Sequence, residues 1–376
     1  MRYFIIAGEA SGDLHAANLV RALKEHDPEA AFAFMGGEML TEATGIDPIT
    51  HYREVAFMGI IPVLTHLGAI RRAGKRVQEE MQAFSPDVVI AVDYPGFNMR
   101  YVLPFVREQL GKPLVYYISP KVWAWKSWRL KTLKKYVDLM LCILPFEQEF
   151  FAKHNFPIVY VGNPCYDAVA PFIRPTICEQ EQAVRESRQV ALLCGSRRHE
   201  VKENLPLMLR VMKHFPDYSP VIAGAPGLTA EDYAPYIRGY NVPIVFGQTY
   251  QILRESKAAL VTSGTATLET ALIGTPQVVC YHVGGGRLAN FVFDRFFTTP
   301  FISLTNLIAG EAIVPELFGG LFTEERLVSH LSLLLDNTSP ERASQLSGYE
   351  LIRTRIGRGN TSRQAAQAIL TRFSKK

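Results

Sequence analysis

MRYFIIAGEASGD, residues 1–13, runs an apolar stretch (YFIIA, 3–7) straight into a turn bounded by Gly8 and Gly12 that opens a helix. A short apolar strand delivered into a helix is the repeating unit of a doubly wound α/β protein. The unit recurs. Apolar runs at 31–35 (AFAFM), 88–92 (VVIAV), 114–118 (LVYYI) and 139–143 (LMLCI) alternate with helical patterns. A second series follows at 190–194 (VALLC), near Val221 and Val245, at 258–262 (AALVT) and at 277–281 (QVVCY). The pattern predicts two Rossmann-like α/β domains with mainly parallel sheets, facing across a cleft that would hold a ligand. Two prolines and a polar run between the series place a linker at 171–188, a first domain at 1–170 and a second at 189–358. Residues 359–376 read as an amphipathic helix with a basic end, packing back on the first domain.

At 376 residues the chain is longer than one core usually organises, and 48% apolar with 20% charged residues excludes disorder. A surplus of +4 says little about acidic partners, so local clustering matters more. The five cysteines are odd in number and form no CxxC pair, which fits buried thiols in a reducing cytoplasm. The N-terminus lacks the long apolar stretch and cleavage site of a signal peptide. The most membrane-like stretch, 55–70 (VAFMGIIPVLTHLGAI), carries Pro62 and His66 and is shorter than the ~20 residues a span needs. It suits lying on a bilayer rather than crossing one.

Chemistry is expected at the β-to-α junctions. Gly8 to Asp13 favours an anion or a hydroxyl-rich ligand, or is a capped turn with Ser11 or Asp13 as N-cap. Neither GxGxxG nor GxSxG fits it. Asp93, ending the third strand, is a candidate general base or a helix cap; Glu9 and His15 are candidates for orienting a sugar. In the second half, Gly195 and Ser196 can offer amides and Arg197 a planar cation to a diphosphate. The turn Ser263-Gly264-Thr265 again follows a strand, and Glu269, one turn into the helix, can accept the ribose hydroxyls of a nucleotide. Residues 119–135 contain all three tryptophans and six Lys or Arg without an acid. This stretch fits a membrane interface, a nucleic-acid site or a solvated helix with buried Trp; with no RNA-module signature, nucleic acid is the weaker choice. No DxD, His/Cys metal spacing or Walker sequence is present, so a metal-free leaving-group strategy is implied and a leaving diphosphate must be met by helix N-termini and cationic side chains.

In order, GEASGD (8–13), PD-x5-DYPGFN (86–98), SPKVWAW (119–125), LPFE (144–147), VGNP (161–164), CGSR-x2-E (194–200), SGTATLE (263–269) and SLTN-LIAG (303–310) resemble the lipid-A-disaccharide synthases, inverting GT-B glycosyltransferases. The resemblance implies condensation of UDP-2,3-diacylglucosamine with 2,3-diacylglucosamine 1-phosphate, releasing UDP, with no metal or organic cofactor. It places UDP recognition on Arg197, the SGTATLE turn and Glu269, puts Asn306 and Glu316 with the substrate-binding motifs and sets Glu9 and Ser11 on the acceptor side. Asn98, the last residue of DYPGFN, joins the substrate contacts. Many relatives read PDFN where this chain has Pro95-Gly96-Phe97-Asn98, and that aspartate is regarded as the base. Gly96 cannot abstract a proton, which leaves Asp93, the favoured candidate, or Asp87 or another group to serve. Cys194 stands where relatives commonly have Pro. Lipid substrates imply peripheral contact with the cytoplasmic face of the inner membrane, through Phe57, Met58, Ile60, Trp123, Trp125 and Trp128, with residues 287–293 as a further segment. The analogy extends to a homodimer. The competing readings are another GT-B enzyme using UDP-N-acetylglucosamine, and a non-catalytic nucleotide-sugar or RNA-binding protein.

Overall fold

The computed structural model describes residues 1–54, 67–124, 128–283, 286, 299–357 and 359–374. The chain forms two compact units, Met1–Pro164 with Arg358–Lys376, and Cys165–Gly357. The first is built on β1 (Arg2–Ala7), β2 (Ala31–Gly36), β3 (Thr50–His51), β4 (Val88–Val92), β5 (Leu114–Tyr117), β6 (Leu139–Cys142) and β7 (Val159–Tyr160). They form one parallel sheet in the order β3-β2-β1-β4-β5-β6-β7. The second unit holds β8 (Gln189–Leu193), β9 (Ser219–Gly224), β10 (Ile244–Phe246), β11 (Ala258–Thr262), β12 (Gln277–Tyr281) and β13 (Glu316–Phe318), parallel in the order β10-β9-β8-β11-β12-β13.

Strand order reverses once in each sheet, and there two crossovers leave in opposite directions and open a crevice at the carboxyl ends of adjacent strands. In the first unit Ala7 pairs with Val92, so Gly8 and Asp93 leave the sheet side by side. In the second, Leu193 pairs with Val261, which brings the Gly195 and Ser263 turns together.

The first sheet is covered on both faces, as a parallel sheet must be. Helix Ala10–His26 lays Ala16, Ala17, Val20 and Leu23 against Tyr3, Ile5 and Ala7. Helix Thr361–Phe373 joins the same cluster through Ala365, Ala366 and Ile369, and Arg363 pairs with Glu25 at 3.1 Å. Alanines on both helices permit that close approach.

The stretch 171–188, expected as a linker, contains helix Ile177–Val184 within the second unit. Ile177, Gln180 and Val184 form its buried stripe, the Thr176 side chain caps it by accepting from the Glu179 amide, and the Ile177 amide donates to Glu350 at 2.8 Å. The helical spacing of those three residues was hidden by the polar ones between them. No described helix is long and apolar enough to cross a membrane.

Candidate functional site

At the reversal point of the first sheet, Asp93 and Tyr94 both adopt left-handed backbone angles, φ 41° and 45°. Successive non-glycine residues there are costly and persist only where surroundings hold them. The Asp93 amide donates to the Tyr117 carbonyl at 3.0 Å, while its own carbonyl accepts from Tyr116 Oη at 2.6 Å and Asn98 Nδ2 at 2.7 Å. The turn thus presents Asp93 at the strand end. Burial, reinforced by the Glu9 carboxylate, pushes its pKa up to about 6, against the opposing pull of Lys121 and of the Tyr94 amide. A carboxylate so tuned suits proton abstraction near neutral pH.

The neighbouring expectations divide. Glu9, half-buried, is itself the N-cap residue of the first helix, in place of Ser11 or Asp13, and Ser11 is exposed. Asp13 is buried and caps another helix: its carboxylate accepts from the Gly37 and Met39 amides, at 2.7 and 2.9 Å, at the start of Glu38–Thr44. His15 is half-buried, and burial lowers its pKa. Asn98, expected to touch substrate, is fully buried and holds the Asp93 turn from beneath.

In the second unit the carboxyl ends of four adjacent strands enclose a cavity of about 620 Å³, lined among others by Gly195, Ser196, Arg197, Gln248, Tyr250, Ser263, Gly264, Thr265 and Glu269. Every residue expected to bind the nucleotide lines it. Helix Thr265–Ile273 starts at Gly264 with no side-chain cap, so its positive end is directed at the cavity. Burial raises the pKa of Glu269; Tyr250 Oη, donating to Glu269 Oε1 at 3.0 Å, opposes the rise. The Phe172 and Tyr250 rings meet at 5.5 Å along one wall.

The Gly195 turn departs from expectation. Glu200 Oε2 already accepts from the Ser196 amide at 2.7 Å and the Arg197 amide at 3.2 Å, and its Oε1 accepts from Arg197 Nη1 at 3.1 Å. A Cβ on Gly195 would lie 2.4 Å from Glu200 Cβ, so glycine makes room for this internal anion. Helix Thr265–Ile273, by contrast, has no side-chain cap at Gly264, and the Arg197 side chain, half exposed, reaches the cavity.

Asn306 and Glu316 are tied up in internal hydrogen bonds. Asn306 is 1% exposed; its Nδ2 donates to the Val314 carbonyl and Glu316, and its Oδ1 accepts the Ile313 and Val314 amides, each at 2.8 to 2.9 Å. Every donor and acceptor of the amide is spent. Glu316 also accepts from the Ile302 and Ser303 amides and the Ser303 hydroxyl. The pair holds residues 302–303, to which Ser263 Oγ donates at 3.3 Å through the Ile302 carbonyl. Trp123, expected at the membrane, is buried with its indole Nε1 donating to Glu147 at 3.1 Å. Trp128 is 66% exposed. Phe57, Met58, Ile60, Trp125 and residues 287–293 lie outside the described residues. Tyr250 and the capping role of Glu200 were missed; the signal for Tyr250 was an aromatic shortly after the glycine that ends the PIVFG strand.

The family model for lipid-A-disaccharide synthetase matches residues 3–370. Lipid-A-disaccharide synthase of Geobacter sulfurreducens is 34% identical over 386 residues, covering 100% of this chain and 98% of its own. That of Myxococcus xanthus is 36% identical over 376 residues, covering 98% and 97%. Among solved structures, UDP-GlcNAc 2-epimerase from Neisseria meningitidis bound to UDP-GlcNAc superposes with a TM-score of 0.66 at 13% identity, over 99% of this chain and 100% of that one. Acinetobacter baumannii MurG gives 0.60 at 13%, over 98% and 99%. At such identity these structures establish the GT-B fold alone. Full-length matches to the named relatives and to the family model establish the rest: the chain belongs to the lipid-A-disaccharide synthetase family, UDP-sugar glycosyltransferases of lipid A biosynthesis.

Proposed function

We propose that the chain transfers 2,3-diacylglucosamine from UDP-2,3-diacylglucosamine to the 6-hydroxyl of 2,3-diacylglucosamine 1-phosphate, with inversion, forming the β-1′,6 disaccharide and UDP. The observation carrying it, beside family membership, is the cavity in which Arg197, the uncapped helix at Gly264 and Glu269 converge. Glu269 accepts the ribose hydroxyls, and Arg197 and the Gly264 turn meet the negative charge that grows on UDP as the anomeric C–O bond breaks. Asp93 takes the proton of the acceptor hydroxyl as its oxygen bonds to the anomeric carbon. Glu9, carboxylate beside carboxylate, favours the protonated form of Asp93 that results.

The protein works, on this reading, as a peripheral enzyme at the cytoplasmic face of the inner membrane, since both substrates carry acyl chains. Exposed Trp128 and the exposed Lys131, Lys134 and Lys135 of helix Arg129–Tyr136 support such contact.

The test is UDP release from UDP-2,3-diacylglucosamine in detergent and excess EDTA, with and without 2,3-diacylglucosamine 1-phosphate, for wild type and Asp93→Ala. Acceptor-dependent release that survives EDTA and collapses in the variant is expected. A folded wild type that releases no UDP would refute the reaction; a fully active variant would refute only Asp93.

A further inference from the structure

The LPFE stretch, Leu144 to Glu147, has no part in the reaction as derived. Glu147 opens helix Glu147–Lys153, where a carboxylate ordinarily faces solvent, yet it is 1% exposed. Three donors converge on it. The Ser119 hydroxyl and the Trp123 indole, the latter at 3.1 Å, donate to Oε1, and the Leu144 amide donates to Oε2 at 3.1 Å. Phe146 meets the Trp123 ring edge-on, centroids 4.8 Å apart.

Ser119 and Trp123 lie in the segment that leaves β5 beyond Ile118, itself left-handed at φ 66°. Between them stands Lys121, exposed, whose charge acts on Asp93 in the sense opposite to Glu9. Pro120 and Val122, on either side of Lys121, are buried, and the Glu147 carboxylate ties down the residues just beyond them, Ser119 and Trp123, by hydrogen bonds. We infer that Glu147 is a positioning residue for the transfer reaction: by clamping Ser119 and Trp123 it holds the Lys121 ammonium within electrostatic reach of the Asp93 carboxyl. The inference rests on Asp93 being the base.

Other groups around the two carboxyls are few. Asp93 is faced by Glu9 from the start of the first helix, by Tyr116 from β5 and by Lys121, and Arg129 acts on Tyr116 in turn. Glu147 is faced by Cys142 at the end of β6 and Tyr160 of β7. Burial pushes Glu147 up to about 7, against the pull of its donors.

The test is a double-mutant cycle read on the acid limb of kcat/KM, using the full chain. Lys121→Met moves the limb to higher pH, by roughly half a unit, which is about a threefold loss of kcat/KM on the acid side. Glu147→Met, which removes the acceptor of both donors, moves it the same way, Trp123→Phe does so by less, and Lys121→Met with Glu147→Met moves it no further than Lys121→Met alone. Should Glu147→Met fold poorly, Trp123→Phe carries the comparison. A limb that shifts with Lys121→Met but stays put in Glu147→Met and Trp123→Phe, or shifts that simply add, would overturn the inference while leaving Asp93 as base. A Lys121→Met enzyme with an unmoved limb would overturn it as well. An Asp93→Asn enzyme that retains the wild-type limb would bring down the base assignment, and this inference with it.

Discussion

The ring of Tyr94 occupies the space a side chain on Gly8 would need: a Cβ built there would lie 1.9 Å from Tyr94 Cδ1. The first glycine of GEASGD is therefore required by close approach, and it lets the left-handed Asp93-Tyr94 turn lean over the end of β1. Gly8→Ala has to push Tyr94 away, and Asp93 moves with it. The expected outcome is a loss of about 1–3 kcal/mol of stability with a fall in kcat well beyond what the unfolded fraction explains. Thermal melts and initial rates on one preparation decide it; a Gly8→Ala enzyme with wild-type kcat would show that the turn does not depend on this contact.

Asp93 predicts the pH profile. A base must be ionised to act, and burial with Glu9 has moved this carboxyl up from 3.8 to about 6, so activity falls as pH drops through about 6. Glu9→Gln removes the like charge and shifts the limb to lower pH; Asp93→Asn abolishes it with a loss of about 10²–10⁴ in kcat. Rates from about pH 5 to 8, spanning both sides of that limb, with UDP binding followed separately, provide the check. A limb unmoved by Glu9→Gln would mean that burial alone sets the value.

Tyr250→Phe tests the nucleotide wall. Without the 3.0 Å hydrogen bond, burial acts on Glu269 unopposed and its carboxyl protonates more readily. UDP should bind about three- to tenfold more weakly, and the deficit should widen as pH falls. Calorimetry at two pH values reads this directly, and equal affinities for wild type and the Tyr250→Phe variant at both would refute the role.

Asn306→Ala separates scaffold from ligand contact. Deleting an amide with four internal hydrogen bonds leaves buried backbone groups unpaired, costing about 2–4 kcal/mol. A clear drop in Tm is expected, with UDP affinity little changed at temperatures where the variant is folded. An undiminished Tm with lost affinity would restore Asn306 to the ligand.

The strand–turn–helix rhythm of the chain determined two parallel sheets, and with them which residues stand at the carboxyl ends of strands: Glu9, Asp93, Gly195, Ser263 and, one turn in, Glu269. Those positions follow from local order, because a strand that enters a helix through a short turn leaves no choice of end. What each junction group does was decided by the partners that packing brings to it, near or remote in sequence. Ser119 and Trp123 turn inward because Glu147, 24 to 28 residues on, is buried beneath them. Asn306 and Glu316 are used up on each other and on residues 302–314, and Glu200 takes the amides of its own turn as the third residue of helix Arg198–Met212, in a capping box with Arg197. Asn98 went below the Asp93 turn instead of into the site. A motif names the donors and acceptors at a strand end; only the folded chain decides which are spent internally, since a buried polar group takes whichever partner the packing brings to it.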